Sequence, residues 1–162
     1  MTVKPETNFW KSVKTYLESG DYLVSRIESY VTPGFPDCVV YHKDCGFFTI
    51  ELKVMRRNKK GDAKVLISPL QHAFHVSHSD KGAPVFILVY DPGTRTIKLF
   101  DGGQTPKLRD NTNLDDGPPP LYEGPLPGLQ LWAIVELQKL PNSMMVSYQS
   151  WKEMLNVWKR HT

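Results

Sequence analysis

Asp37, Glu51 and Lys53 place two carboxylates and one ammonium within a short span, 36-PDCVVYHKDCGFFTIELK-53. Two carboxylates beside a lysine suit a divalent cation, which takes hard oxygen ligands. Asp37 and Glu51 would supply such oxygens, and the backbone carbonyl of Leu52 would supply another. Mg²⁺ held there would lower the pKa of a water and neutralise charge on a phosphodiester under attack. Lys53 would orient or help deprotonate that water and balance the developing negative charge. The bland alternative is a structural ion-pair cluster, which adds little stability when partly buried.

These residues need elements that bring them together. Residues 47–54, FFTIELKV, read as a strand. Alternation sends Phe48, Ile50, Leu52 and Val54 to a core face, and Phe47, Thr49, Glu51 and Lys53 to the other, exposed face. A preceding strand over 37–42 would pair with it through the turn 43-KDCG-46. Asp37 follows Pro36, which pins the chain as it leaves the Pro33-Gly34 turn. That pairing sets Asp37 beside Glu51 and Lys53.

The surrounding chain reads as alternating helices and strands. Residues 5–19 form a helix with Phe9, Trp10, Val13 and Leu17 on one face. Glu6 shares that apolar face, while Glu18 lies on the polar one; Gly20 is the stop. Residues 22–31 read as a strand. Ser68-Pro69-Leu70-Gln71 starts a helix running to about 79, with Ser68 as cap and Gln71 at the capping-box position. Residues 84–90, PVFILVY, are the most apolar strand, and 95–100 its hairpin partner. The stretch 101–128 is rich in Gly, Pro, Asp and Asn and reads as a long loop. A strand over 129–137 and a helix over 147–160 close the chain. The expectation is one domain, 1–162, with its core at about 5–100: a mixed α/β fold with a central sheet flanked by helices.

Composition narrows the class. The chain has 162 residues, 40% hydrophobic and 23% charged, with a net charge of +3. It has neither a membrane-spanning run nor a signal-like segment, so an intracellular, cytoplasmic protein is expected. Cys38 and Cys45 have no metal-ligand spacing and read as free thiols. The run 53–64, KVMRRNKKGDAK, holds six of the 20 Lys and Arg. Arg56, Arg57, Lys59, Lys60 and Lys64 in it are either a solvated loop or contacts to nucleic-acid phosphates. His72, His75 and His78 lack the spacing of a zinc site and read as surface residues, with His75 contacting DNA as the lesser alternative. Trp10, Trp132, Trp151 and Trp158 read as core or interface anchors.

Pro36-Asp37, thirteen residues, then Glu51-Leu52-Lys53 resembles the PD-(D/E)XK nuclease superfamily. The wider pattern, Gly34-x-Pro36-Asp37, Ile50-Glu51-Leu52-Lys53 and Ser68-Pro69-x-Gln71, is similar to its VRR-Nuc and Holliday-junction-resolvase-like branch. It spans about residues 6–90, and the C-terminal 70 residues resemble nothing nameable. The resemblance implies a restriction-endonuclease-like core, Mg²⁺ or Mn²⁺ dependence, and hydrolysis of DNA, either branched or flap DNA or by nicking duplex DNA. Symmetric junction cleavage would require a homodimer, and small proteins of this kind are common in phages. It also implies an acid on the first helix at the metal. Glu6 is preferred for it, with Glu18 and Glu28 left open. A Gln on the helix after the second motif is also implied, which Gln71 matches as well as it matches a plain cap. The competing class is a catalytically silent nucleic-acid-binding module.

Overall fold

The computed structural model describes residues 4–28, 32–111 and 113–140. α1 (Pro5–Ser19) begins on Pro5, whose fixed φ suits a first helical turn. Its Phe9, Val13 and Leu17 are buried, as the spacing predicts. β1 (Leu23–Arg26), β2 (Cys38–His42) and β3 (Gly46–Val54) form an antiparallel meander. β4 (Arg56–Arg57) and β5 (Ala63–Lys64) make a small separate hairpin. α2 (Pro69–Asp80) then carries the chain over to β6 (Val85–Asp91), parallel to β3. A parallel neighbour requires such a crossover, because a tight turn only reverses direction. β7 (Thr96–Asp101) returns antiparallel to β6, and β8 (Tyr122–Gly124) pairs with β7. The sheet order is β1-β2-β3-β6-β7-β8. This is a mixed α/β fold with a six-stranded mixed sheet.

Both faces of the sheet are covered. Phe48 and Ile50 of β3 and Phe86 and Leu88 of β6 pack with Phe9, Val13 and Leu17 of α1. Ile87 and Val89, one residue out of phase, join a second cluster with Met55, Ala63, Val65, Ile67, Phe100 and Leu108. β6 is thus buried on both sides, which is why it reads as an unbroken apolar run.

Three expectations change. The stretch 101–128 is not a plain loop. The Asp101 carboxylate and the Gln104 side chain form a reciprocal cap on a 3-10 turn, Gly102–Gln104. α3 (Thr105–Asp110), two further 3-10 turns and β8 follow. Side chains hold this segment locally: Tyr122 donates to the Pro125 carbonyl at 2.6 Å, and Gln104 to the Pro119 carbonyl at 2.9 Å. Gly- and Pro-rich composition hides such order, because it has no periodicity. The strand expected over 129–137 is a helix, α4 (Leu131–Gln138). Leu131, Ala133, Ile134, Val135 and Leu137 are all buried, so the apolar run carried no period that separates helix from strand. The strand expected over 22–31 is paired only at Leu23–Arg26, and 29–31 lie outside the described residues. The helix expected over 147–160 also lies outside them, with Trp151 and Trp158.

Candidate active site

β2 and β3 pair with Cys38 opposite Ile50, so Asp37, one step before β2, stands across from Glu51. The Asp37 carboxylate accepts the Leu52 N–H at 2.7 Å, which ties it to the motif strand. Its carbonyl accepts the Ile27 N–H at 2.8 Å, extending the β1 ladder past its formal end. The turn before Asp37 rests on α2. Gly34, at φ 90°, lies so close to Leu70 that an added Cβ would sit 2.6 Å from the Leu70 carbonyl oxygen. Phe35 meets Phe74 edge-on at 5.1 Å. The turn that aims Asp37 and the helix that carries Gln71 are therefore packed as one piece.

Glu51 departs from the expectation of an exposed face. It is 2% exposed, because α2 closes over the side of β3 that alternation assigns to Glu51 and Lys53. Lys53 reaches its Oε1 at 3.0 Å. Gln71 completes the set: its Oε1 accepts from Lys53 Nζ at 2.9 Å and from the Ser68 N–H at 3.0 Å. The amide is thereby oriented, and its Nε2 donates to Glu51 Oε1. Gln71 serves as helix cap and site residue at once, since one amide oxygen has room for two donors. Burial pushes the Glu51 carboxyl up to about 7, with the Asp37 charge adding to it and Lys53 offsetting part. The Asp37 backbone N–H also relieves the carboxylate. Even so, among the described residues Glu51 Oε2 is buried with no hydrogen-bond partner of good geometry.

The neighbours are unreactive. Cys38, fully buried, has its thiol pushed up to about 12 by burial and by the Asp37 and Glu51 charges, and Cys45 is also a free, buried thiol. His75 is not a surface residue. It is fully buried on the sheet side of α2, and burial together with the Lys53 charge lowers it to about 4, so it is neutral. His78 stacks on Phe74 at 3.8 Å.

The remaining sequence candidates lie apart from this cluster. Glu6 is half exposed and pairs with Arg56 at 3.4 Å. Glu18 pairs with Lys14 on the outer face of α1, and Glu28 is exposed. Among the described residues, no three His, Cys, Asp or Glu side chains are grouped to hold a metal ion. Asp37 and Glu51 thus form a two-carboxylate site. The basic run is the β4–β5 hairpin, which leaves β3 just past Lys53. Lys59, Lys60 and Lys64 are exposed on it. Arg57 is instead tied down, to Asp91 at 3.0 Å, Asp115 at 2.8 Å and the Gly61 carbonyl at 3.1 Å. Sequence gave no hint of that anchor, since Asp91 and Asp115 are remote in the chain.

Among the described residues, no helix is long and apolar enough to cross a membrane. The chain matches no protein-family profile and no curated protein. Among solved structures, it is similar to that of a bacterial homing endonuclease, I-Ssp6803I, with 12% identity over 99% of each chain and a TM-score of 0.41. A similarity that distant leaves function to the side chains themselves.

Proposed function

We propose that this protein is a metal-dependent nuclease that hydrolyses DNA phosphodiester bonds at Asp37, Glu51 and Lys53. The observation that supports this most is Glu51 Oε2: a buried carboxylate oxygen with no hydrogen-bond partner of good geometry among the described residues, next to a second carboxylate. An unpaired buried acceptor costs stability unless something compensates it. A divalent cation bound by Glu51 and Asp37 is such a compensation, and all-oxygen ligands suit Mg²⁺ or Mn²⁺. Bound there, the ion supplies positive charge to a phosphate and acidifies the attacking water.

The chain's own residues do the rest. Lys53, held by Glu51 and Gln71, keeps its ammonium at the carboxylate pair, where it orients the water and balances charge on the phosphate oxygens. Gln71 fixes Lys53 and Glu51 relative to one another. Asp37, bonded to the Leu52 N–H, cannot swing away from the strand. Lys59, Lys60 and Lys64 on the neighbouring hairpin contact phosphates further along the DNA. Within DNA, the reading takes branched or flap substrates, with a homodimer for symmetric junction cleavage, or nicking of duplex DNA.

A silent binding module with a structural ion-pair cluster would leave Glu51 Oε2 a cost without a use. The test is cleavage of duplex, nicked, flap and four-way-junction DNA with Mg²⁺, Mn²⁺ or EDTA. Cleavage requires the metal and disappears in Asp37→Asn and Lys53→Met. Salt-sensitive binding without metal-stimulated cleavage would establish the silent module instead.

A further inference from the structure

Buried polar atoms without a well-placed hydrogen-bond partner gather under one helix. Among the described residues they are Thr49 Oγ1, Glu51 Oε2, His72 Nδ1 and both ring nitrogens of His75. All of them belong to β3 or α2. Each such atom costs stability, so their gathering beside the candidate site asks for a use.

Register places them relative to one another. Gln71, at the start of α2, bonds Glu51 and Lys53. Ser79, near its end, bonds Asp101, which pairs with Phe86 at the start of β6. α2 therefore runs back along β3 and β6. One helical turn from Gln71 to His75 covers about 6 Å, and two strand residues from Glu51 back to Thr49 cover about 7 Å. His75 thus lies over Thr49 as Gln71 lies over Glu51. Gly102 agrees with that register. A Cβ added there would stand 2.5 Å from Val85 Cγ2 and 3.2 Å from His75 Nδ1, and Val85 is the β6 partner of Thr49. Thr49 and Glu51 point to the same side of β3. The His75 ring, Thr49 Oγ1 and Glu51 Oε2 therefore share the space between α2 and β3, one strand step behind the carboxylate.

This is not a second metal centre, because among the described residues no three His, Cys, Asp or Glu side chains are grouped to hold an ion. Nor does packing call for a histidine, since leucine would fill the place without stranding two nitrogens. His75 is fully buried and neutral, so its ring carries one donor and one acceptor. Resting on the nuclease reading, we propose that His75 is a positioning residue for Glu51: with Thr49 it holds a buried water whose hydrogen bond fixes Glu51 Oε2. A buried water typically makes about three hydrogen bonds, and Thr49, His75 and Glu51 supply three partners. An ionised carboxylate oxygen has room for two partners, so Oε2 takes the water on one side and the cation on the other. Metal-ligating carboxylates are commonly fixed by such outer bonds, and losing one typically costs roughly 10- to 100-fold in metal affinity.

The test compares wild type with Thr49→Val, His75→Leu, His75→Gln and Glu51→Gln. The ring nitrogens of His75 are read by nitrogen NMR without metal, above pH 7, where Glu51 is ionised. Their signals shift in Thr49→Val and in Glu51→Gln, because both change the water's partners. Mn²⁺ binding is then read by calorimetry. Thr49→Val and His75→Leu each bind roughly 10- to 100-fold more weakly than wild type. The double variant loses little more than either alone, since both act through one water. His75→Gln, whose amide reaches the place of Nε2, recovers much of the affinity. Valine keeps the shape of threonine, so weak binding by Thr49→Val is not a packing defect. His75 signals indifferent to Glu51→Gln, or Mn²⁺ affinity unchanged in both Thr49→Val and His75→Leu, would overturn the proposal even if Mg²⁺-dependent cleavage holds. Coupled signals in a protein that neither binds Mn²⁺ nor cleaves DNA would keep the link between His75 and Glu51 and overturn the nuclease.

Discussion

Glu51→Gln separates the stability of the site from its chemistry. In the fold, burial and the Asp37 charge raise the Glu51 carboxyl from 4.5 to about 7. Between those values the folded chain keeps a proton that the unfolded chain has lost. Stability contributed by Glu51 is therefore fully present below 4.5 and is lost as pH rises through 7. At about 1.4 kcal/mol per pKa unit, the loss is about 3 kcal/mol. Glutamine keeps the shape and one oxygen for Gln71 and Lys53 but never ionises. Urea unfolding at about pH 4.5 and about pH 8 should show wild type losing about 3 kcal/mol more than Glu51→Gln over that interval. For a chain of this size that is a widening Tm gap of roughly 6–12 °C. Mg²⁺ at a hundred times its dissociation constant should return about 2.7 kcal/mol to wild type at the higher pH. It should return nothing to Glu51→Gln, which also loses cleavage. Parallel pH slopes for the two proteins would refute the reasoning, because Glu51 would then ionise as freely in the fold as outside it.

Ser68→Ala and Gln71→Ala divide the two duties of Gln71. Both lose the reciprocal cap, at a cost of about 1 kcal/mol, but only Gln71→Ala frees Lys53 and Glu51, so only it should also collapse the cleavage rate. The hairpin cations separate by salt dependence of DNA binding: Lys59→Ala and Lys60→Ala should each lower the slope of log K against log salt by about 1. Arg57→Ala should leave that slope nearly unchanged while lowering the melting temperature, since it strips the partner from buried Asp91. Gly34→Ala should destabilise by more than about 1 kcal/mol, because its Cβ would strike the Leu70 carbonyl oxygen at 2.6 Å. Protease sensitivity should then rise at the turn and at the start of α2 together.

Much of the frame was legible locally. α1 and α2 announce themselves by apolar spacing, by Pro5 and Pro69 at their first turns, and by the Ser68–Gln71 box. The β2–β3 hairpin follows from alternation around a short turn, and it alone sets Asp37 across from Glu51. What failed locally failed for identifiable reasons. α4 is buried on most of its surface, so its apolar run has no readable period. The segment after β7 is ordered by capping and side-chain bonds, which composition conceals.

Residue types and a period of two determined which groups share the candidate site: Asp37, Glu51 and Lys53, with Gln71 near them. Only the tertiary structure decided their state. Whether Glu51 is exposed or buried depends on α2 crossing over β3, and that burial is what raises its carboxyl and strands Oε2. Whether Arg57 is free depends on Asp91 and Asp115, which strand order, not sequence proximity, brings to it. Desolvation and long-range pairing belong to the packed chain, and no local pattern encodes them.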